Sequence, residues 1–249
     1  MSEGYARPSP AEVADRVLAA RRDHDLVRLE GAHALKHALR FGADIEVVAT
    51  DDLDGLLALL RALAPDVLET VAARAVELDQ AGWRRLVPRP LPSPAVAVAR
   101  RPTVGIEAVL ATGGRCLVLD RPRHLGNLGA AIRVAAAAGA GGVVVLGTAD
   151  PWHPTAVRAA AGLQFAVPTV RVDELPATTR PIVALHPVGT PLHEQPLPLD
   201  ALLLVGTERG GLDPRLRGRA DEHRSIEMRA GVSSLNLATA VAVALYADR

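Results

Sequence analysis

Residues 119–133, LDRPRHLGNLGAAIR, pass from an apolar strand pattern through a loop with proline and glycine into an Ala-rich helix. A strand, a glycine loop and a helix in this order direct backbone N–H groups and the positive end of the helix toward an anionic ligand. The G-x-x-G spacing departs from the G-x-G-x-x-G of dinucleotide-binding folds, although Asp150 lies where such folds place a ribose-binding acid. Taken alone, the stretch therefore favours ordinary turn glycines with a solvated Arg133 over a nicotinamide cofactor.

Two later stretches also join an apolar strand to a glycine turn. LLLVGTERGGLDP, residues 202–214, places Glu208 just past the carboxyl end of a buried strand, the edge at which open α/β sheets bind ligands. SIEMRAGVSSLNLAT, residues 225–239, predicts a strand that ends at Met228 and a helix capped by Ser234. A helix cap accounts for one polar residue but does not explain Asn236, so this turn is a second candidate for ligand contact.

Strands and helices alternate along the whole chain, which predicts an α/β fold. The first part reads as a small β-α-β-α unit, and a proline-rich stretch around residues 88–102 separates it from the rest. We therefore expect an N-terminal domain over residues 1–104 and a C-terminal domain over residues 105–249. The C-terminal strands are apolar throughout, as in a parallel sheet covered by helices on both faces.

The composition limits the kinds of function. The formal net charge is zero, and Lys36 is the only lysine, so any grip on phosphate must come from arginine. Cys116 is the single cysteine, and the eight histidines are dispersed, so we expect no disulfide and no metal site. No apolar run is long enough to span a bilayer and the first residues are polar, which favours a cytoplasmic protein without membrane contact.

Taken together, the three stretches resemble the SpoU (TrmH-like) RNA ribose methyltransferases of the SPOUT class. The first family motif, N-x-G-x-x-x-R, is matched by Asn127, Gly129 and Arg133. The second, G-x-E-x-x-G-L, and the third, I-P-M followed by S-L-N, are matched over residues 206–212 and 226–236. One departure is Glu227, which stands where the family has proline and removes the rigidity that proline gives the loop.

The resemblance implies a C-terminal domain threaded as a trefoil knot, S-adenosylmethionine as methyl donor, and a homodimer with each active site at the subunit interface. It also implies an RNA substrate, with ribosomal RNA favoured over transfer RNA. The N-terminal domain looks like the small domain that many members use to hold RNA. Two alternatives stay open at this point, namely a transfer RNA substrate and a member of the fold that binds RNA without catalysis.

The resemblance also assigns roles to residues. The backbone of four residues would hold the cofactor: Gly206, Ile226, Met228 and Leu235. The polar motif residues would form the catalytic site: Asn127, Arg133, Glu208, Ser234 and Asn236. Since a guanidinium is effectively always protonated, we expect Arg133 to stabilise the developing alkoxide or hold a phosphate, and Glu208 or water to accept the proton.

Overall fold

The computed structural model describes residues 8–207 and 210–248. Contacts between Cα atoms divide the chain into an N-terminal unit, residues 1–102, and a C-terminal unit, residues 103–249. The division falls two residues before the boundary expected from the sequence. No helix in the described part of the chain is long and apolar enough to cross a bilayer.

The N-terminal unit contains a four-stranded mixed sheet in the order β1-β4-β2-β3. β4 pairs antiparallel with both β1 and β2, whereas β3 pairs parallel with β2. Its strands are β1 Leu26–Glu30, β2 Ile45–Thr50, β3 Ala75–Glu77 and β4 Val96–Arg100. Its helices are α1 Pro10–Ala19, α2 Ala32–Arg40, α3 Leu53–Leu63, α4 Leu68–Arg74 and α5 Gln80–Leu86.

A buried arginine ties α5 to the N-terminal sheet. The side chain of Arg28 on β1 is almost fully buried, and its Nη2 donates to the Leu86 carbonyl at 2.8 Å while its Nε donates to Glu30. Arg21 also donates to the Leu86 carbonyl, at 2.9 Å. Two guanidinium groups therefore meet the C-terminal end of α5, where the helix dipole favours positive charge.

The C-terminal unit contains a six-stranded sheet in the order β10-β8-β9-β5-β6-β7, and every pairing is parallel. This confirms the parallel sheet predicted from the uninterrupted apolar strands. Its strands are β5 Cys116–Asp120, β6 Gly142–Leu146, β7 Thr169–Val172, β8 Ile182–Pro191, β9 Leu202–Val205 and β10 Glu222–Ser225. Its helices are α6 Ile106–Leu110, α7 Leu125–Ala137, α8 Pro154–Ala159, α9 Pro214–Arg217 and α10 Leu237–Tyr246.

Two buried clusters cover the faces of this sheet. Alternate side chains of β5 point to opposite faces, so that Leu117 and Leu119 pack with α7, α8 and α10, whereas Val118 packs with α6 and α9. All of these side chains are fully buried. The central strands are thus shielded on both sides, and the loops at their carboxyl ends are left to form the ligand-facing edge.

Candidate active site

The loop after β9 is closed by its own backbone. Thr207 and Gly211 exchange two N–H···O=C bonds of 3.2 and 3.0 Å, which bring the ends of the turn together. A Cβ added at Gly206 would lie 2.2 Å from the carbonyl carbon of Gly211, and Gly211 has a φ of +62°. Both glycines are therefore required by the backbone. Glu208, the predicted proton acceptor, lies outside the described residues.

A pocket of about 500 Å³ opens beside this loop. All four residues predicted to hold a cofactor line it, and so does Ser234. The remaining walls come from the middle of β8, the end of β9 with its loop, the last residue of α9, and the start of α10 with the segment before it: Leu185, His186, Pro187, Val205, Thr207, Gly210, Gly211, Leu212, Arg217, Ser233 and Ala240. Residues far apart in the sequence thus surround one cavity of a size usual for small-molecule sites.

The segment between β10 and α10 differs from the prediction. The last strand ends at Ser225, so the expectation that it continues to Met228 is wrong. Ile226 is partly buried against the core that includes α10, and the chain then runs irregularly to residue 236. Because the segment makes no strand pairing here, its backbone and side chains remain available to line the pocket.

Asn236, and not Ser234, is the N-cap of α10. Its Oδ1 accepts from the N–H of Ala238 at 2.9 Å, which satisfies one of the free donors of the first turn. Its Nδ2 donates to Oδ1 of Asn127 at 3.1 Å. The prediction that Ser234 caps the helix is therefore wrong. Asn236 caps α10 and, through its hydrogen bond to Asn127, also connects the third motif to the first.

Glu227, at the family's proline position, lies on the surface. Its Oε2 is 3.6 Å from Nδ1 of His193, and both side chains are about two-thirds exposed. A contact of this kind contributes little free energy because water screens it. The substitution therefore leaves the loop without the proline ring and without a strong replacement contact.

Arg133 lies on the exposed side of α7, and it lines neither this pocket nor the second pocket described below. The opposite side of α7, with Leu128 and Ile132, is fully buried against α8 and α10. Within one chain, the structure joins Asn127 to Asn236 and gathers the four predicted cofactor residues with Ser234 around the pocket, whose lining does not include Asn127, Arg133 or Asn236.

Gly129, the glycine of the first motif, is explained by helix packing. A Cβ at this position would lie 2.2 Å from the carbonyl oxygen of Ala156 and 2.8 Å from Cβ of Ala159. Both neighbours belong to α8, so the glycine permits α7 and α8 to approach closely. The sequence pattern offered no sign of this role.

A second cavity, of about 840 Å³, lies on the other side of residues 210–212. Arg121, with a φ of +43°, reaches both Asp120 at 3.0 Å and Asp213 at 2.9 Å. The N–H groups of Arg215 and Leu216, followed by the charge of Arg121, lower the pKa of Asp213. Sequence reasoning missed this network, for which the R-P-R sequence directly after β5 was the available signal.

Histidine and arginine were also missed in the first pocket. His186 in the middle of β8 and Arg217 at the end of α9 both line it, with 2.9 Å between Nε2 of His186 and Nη1 of Arg217. No local pattern connects these positions, because they meet through the parallel pairing of β8 with its neighbours. Among the described residues, no group of three or more His, Cys, Asp or Glu side chains is arranged to hold a metal.

Comparison with known proteins agrees with this geometry. The sequence profile of the SpoU rRNA methylase family matches residues 114–246. The 23S rRNA (guanosine(2553)-2'-O)-methyltransferase RlmP of Bacillus subtilis is 31% identical over 227 residues, which cover 88% of this chain and 86% of that protein. The 23S rRNA (uridine(2479)-2'-O)-methyltransferase of Streptomyces viridochromogenes is 35% identical over 144 residues, about half of each chain.

Solved structures give the same result. The crystal structure of the SpoU methyltransferase AviRb from Streptomyces viridochromogenes, in complex with the cofactor AdoMet, superimposes with a TM-score of 0.76 at 25% identity, over 94% of this chain and 95% of that one. An RNA 2'-O ribose methyltransferase superimposes with a TM-score of 0.72 at 27% identity, over 97% and 95% of the two chains. From the matching profile, the similarity to RlmP along most of its length and the shared fold, it follows that this chain belongs to the SpoU rRNA methylase family.

Proposed function

We propose that this chain methylates a ribose 2'-hydroxyl of 23S ribosomal RNA with S-adenosylmethionine as the methyl donor, and that it acts in the cytoplasm as a homodimer. The observation that carries the proposal is the pocket of about 500 Å³, which collects the predicted cofactor residues from two separate motifs. The likeness to 23S rRNA methyltransferases along 88% and 52% of the chain supports this RNA as the substrate.

The pocket suits S-adenosylmethionine in size and lining. Ile226, Met228 and Leu235 offer apolar surface for the adenine, and Gly206 allows the turn after β9 to close tightly beside them. When bound, the cofactor supplies a methyl group already activated by the positive charge on its sulfur. The enzyme must then place the ribose oxygen in line with that methyl group, which provides much of the rate acceleration.

The chain's own residues would prepare the ribose oxygen. The hydrogen-bonded pair of Asn127 and Asn236 fixes two amide groups at the N-terminal ends of α7 and α10, where they can orient the ribose. Ser234 lines the pocket and adds a hydroxyl. Arg133 would stabilise the negative charge that develops on the 2'-oxygen as its proton departs to Glu208 or to water.

A homodimer would bring Arg133 to the pocket. Because Arg133 is exposed and lies outside the pocket of its own chain, we infer that it completes the site of a second copy. The helix α10 supports this inference. Its inner face, with Val241, is fully buried, whereas Val243 and Tyr246 form an exposed apolar stripe.

We also infer that the C-terminal unit is threaded as a trefoil knot, which the family resemblance implies. Residues of β8, the loop after β9 and the segment 226–236 line one pocket, and α10 then packs on α7. The end of the chain thus lies against a helix formed about a hundred residues earlier in the sequence, which is compatible with such threading.

The N-terminal unit would hold the RNA through arginine. Arg21 reaches the carbonyl of Leu86, so the pairs Arg21/Arg22 and Arg84/Arg85 lie near one another at the ends of α1 and α5; we call these four residues the arginine patch. All four are exposed. Arg85 has Asp15 at 4.0 Å, and no described carboxylate lies closer to the patch in an ion pair.

Two measurements test the proposal. Isothermal calorimetry should detect binding of S-adenosylmethionine, which a scaffold that only binds RNA need not bind. Primer extension on total RNA should then reveal a 2'-O-methyl stop in 23S rRNA that is missing from a deletion strain and returns on complementation. If the deletion strain instead loses a stop in transfer RNA, the substrate is transfer RNA and not 23S rRNA. Failure to bind the cofactor would overturn the proposal.

A further inference from the structure

One corner of the cofactor pocket contains more hydrogen-bond donors than acceptors. Nη1 of Arg217 lies 2.9 Å from Nε2 of His186, and the backbone N–H of Val188 lies 3.2 Å from Nδ1 of the same ring. We call these three groups the donor cluster. His186 and Arg217 are partly buried and line the pocket, so these two side chains face the cavity, whereas Val188 lies on the surface.

The hydrogen count in the donor cluster does not balance. A guanidinium has no acceptor atom, and a backbone N–H can only donate. Both neighbours of the His186 ring therefore present hydrogen to it, while a neutral imidazole carries a hydrogen on one nitrogen and accepts only at the other. One of the two contacts must place hydrogen against hydrogen, which leaves the cluster in need of an acceptor.

The positive charge of Arg217 is also uncompensated by the described residues. No acidic side chain among them lines the pocket. The acids near Arg217 in the sequence have other partners, since Asp213 pairs with Arg121 and Asp221 accepts from the N–H of Ile182 at 2.8 Å. Glu222 forms a close ion pair with Arg224.

Arg217 differs in this respect from other arginines of the same unit. Arg180 donates to the carbonyls of Leu110, Thr112, Gly114 and Asp200, so its guanidinium is fully used in holding loops together. Arg219 likewise donates to two carbonyls. Among the described residues, the imidazole of His186 is the one side-chain partner of Arg217, and its remaining N–H groups have no described partner at the pocket wall.

We propose that the donor cluster binds the carboxylate of the methionine part of S-adenosylmethionine, with the guanidinium of Arg217 as the main contact and His186 as a second donor. A carboxylate supplies the acceptor atoms that the donor cluster lacks and a negative charge that balances the positive charge of Arg217. Its two oxygens also match the planar fork of a guanidinium. The inference rests on the proposed function, because it requires that this pocket hold the cofactor.

The experiment compares two ligands that differ in this one group. S-adenosylhomocysteine keeps the carboxylate, whereas decarboxylated S-adenosylhomocysteine retains the adenosine, the thioether and the amine. Calorimetry without RNA should show that wild-type protein binds the decarboxylated ligand about tenfold more weakly, as expected for the loss of a hydrogen bond to a charged group. In Arg217→Met most of this preference should be lost, because the main contact to the carboxylate is removed and only His186 remains.

Arg215→Met is the matched control, since Arg215 lies on the same short helix, is exposed, and does not line the pocket. It should retain the tenfold preference. Arg217→Gln, with a polar side chain, is the second variant if circular dichroism shows that the methionine variant is misfolded, and it too should lose most of the preference.

The outcomes separate the two proposals. If Arg217→Met weakens both ligands equally, Arg217 contacts the nucleoside and the carboxylate assignment is wrong. If the variant keeps the wild-type preference, or weakens only RNA binding, the assignment is also wrong while the proposed function stands. If wild-type protein binds neither ligand, the proposed function itself fails and this inference fails with it.

Discussion

Every described strand pairing in the C-terminal sheet is parallel, whereas two of the three pairings in the N-terminal sheet are antiparallel. A parallel sheet places the carboxyl ends of its strands at one edge, so the loops after β5, β6 and β9 meet there. Both cavities described above use the loop after β9, and the second also uses the loops after β5 and β6. In the mixed N-terminal sheet the described strands do not all end at one edge, and the arginine patch lies at the ends of helices.

The two units also use arginine differently. In the C-terminal unit, Arg115, Arg180 and Arg219 donate to backbone carbonyls and hold loops in place. In the N-terminal unit, Arg40 forms a two-pronged ion pair with Asp66 at 2.7 Å, which lowers the pKa of that carboxyl group, while the arginine patch stays exposed. We conclude that these arginines of the C-terminal unit hold loops, whereas the N-terminal unit uses Arg28 to hold α5 and also presents arginine at its surface. The following predictions test what the exposed arginines of each unit do.

The largest effect is expected at Arg133. Arg133→Ala should lower the rate of methyl transfer by about a hundredfold to a thousandfold, because one well-placed charge on the developing alkoxide is lost. Affinity for S-adenosylhomocysteine should stay at the wild-type value, because we expect Arg133 to act on the ribose oxygen and not on the cofactor. Single-turnover assays with saturating RNA give the rate, and lysine should not restore it if the fork is needed.

Arg61→Ala is the control for that experiment. Arg61 is an exposed arginine on α3 of the N-terminal unit, so its removal should leave the single-turnover rate unchanged. Near-normal turnover by Arg133→Ala would show that this residue is not part of the catalytic site. It would also contradict a catalytic role for this exposed arginine of the C-terminal unit.

The next effect concerns the dimer. Val241 is fully buried in its own chain and Val243 is 39% exposed, so only Val243 can face a second copy. Val243→Asp should weaken dimerisation by about a hundredfold, because an unpaired charge would be buried in the interface. Light scattering should show a folded monomer that has lost methyl transfer.

Leu199→Asp controls for added charge in the same unit, because Leu199 is 82% exposed and does not lie on α10. This variant should remain an active dimer. An active wild-type monomer at assay concentration would contradict the shared site.

A third test concerns stability within the C-terminal unit. Gly129→Ala should destabilise the fold by about 1–3 kcal/mol, since its Cβ would overlap the Ala156 carbonyl on α8. Gly126→Ala, on the same helix, has nothing within 4 Å and should stabilise by up to about 1 kcal/mol. Urea unfolding of both variants measures the two changes, and equal signs would contradict the packing argument.

The smallest effect is expected from the arginine patch. Replacing Arg84 and Arg85 together by glutamine should weaken RNA binding several-fold and reduce the slope of log affinity against log salt by about 2, one for each lost phosphate contact. The control replaces Arg100 and Arg101, because Arg100 is already paired with Asp44 and Glu46. If both double variants show the wild-type slope, the patch is not the RNA-binding surface.

Much of the C-terminal unit could be predicted from the sequence. Uninterrupted apolar runs such as residues 116–119 predict strands buried on both faces, and the observed sheet agrees. Gly206, Ile226, Met228 and Leu235 were predicted as cofactor residues because the family motifs place them, and they do line one pocket. Their contact with a cofactor stays a prediction.

What the sequence could not show depends on contacts between distant residues. Gly129 is explained by a helix that begins 25 positions later, and His186 meets Arg217 across 31 positions. Asn236 was expected inside the helix, yet the helix begins two residues later than a cap at Ser234 would place it, so the side chain of Asn236 is the cap. Local periodicity cannot determine such boundaries, because tertiary packing selects among several acceptable caps.

Because Cys116 is buried, the reactivity of its thiol reports the local unfolding of the native chain around β5. Its Sγ lies 3.3 Å from Nη1 of Arg180 and 3.6 Å from Oγ1 of Thr112, at the start of β5, and no part of the residue is exposed. A thiol reagent can therefore react only when this central strand separates from its neighbours. Since the chain has one cysteine, the labelling rate measured with and without S-adenosylhomocysteine would follow the protection of that strand directly, without introducing any probe.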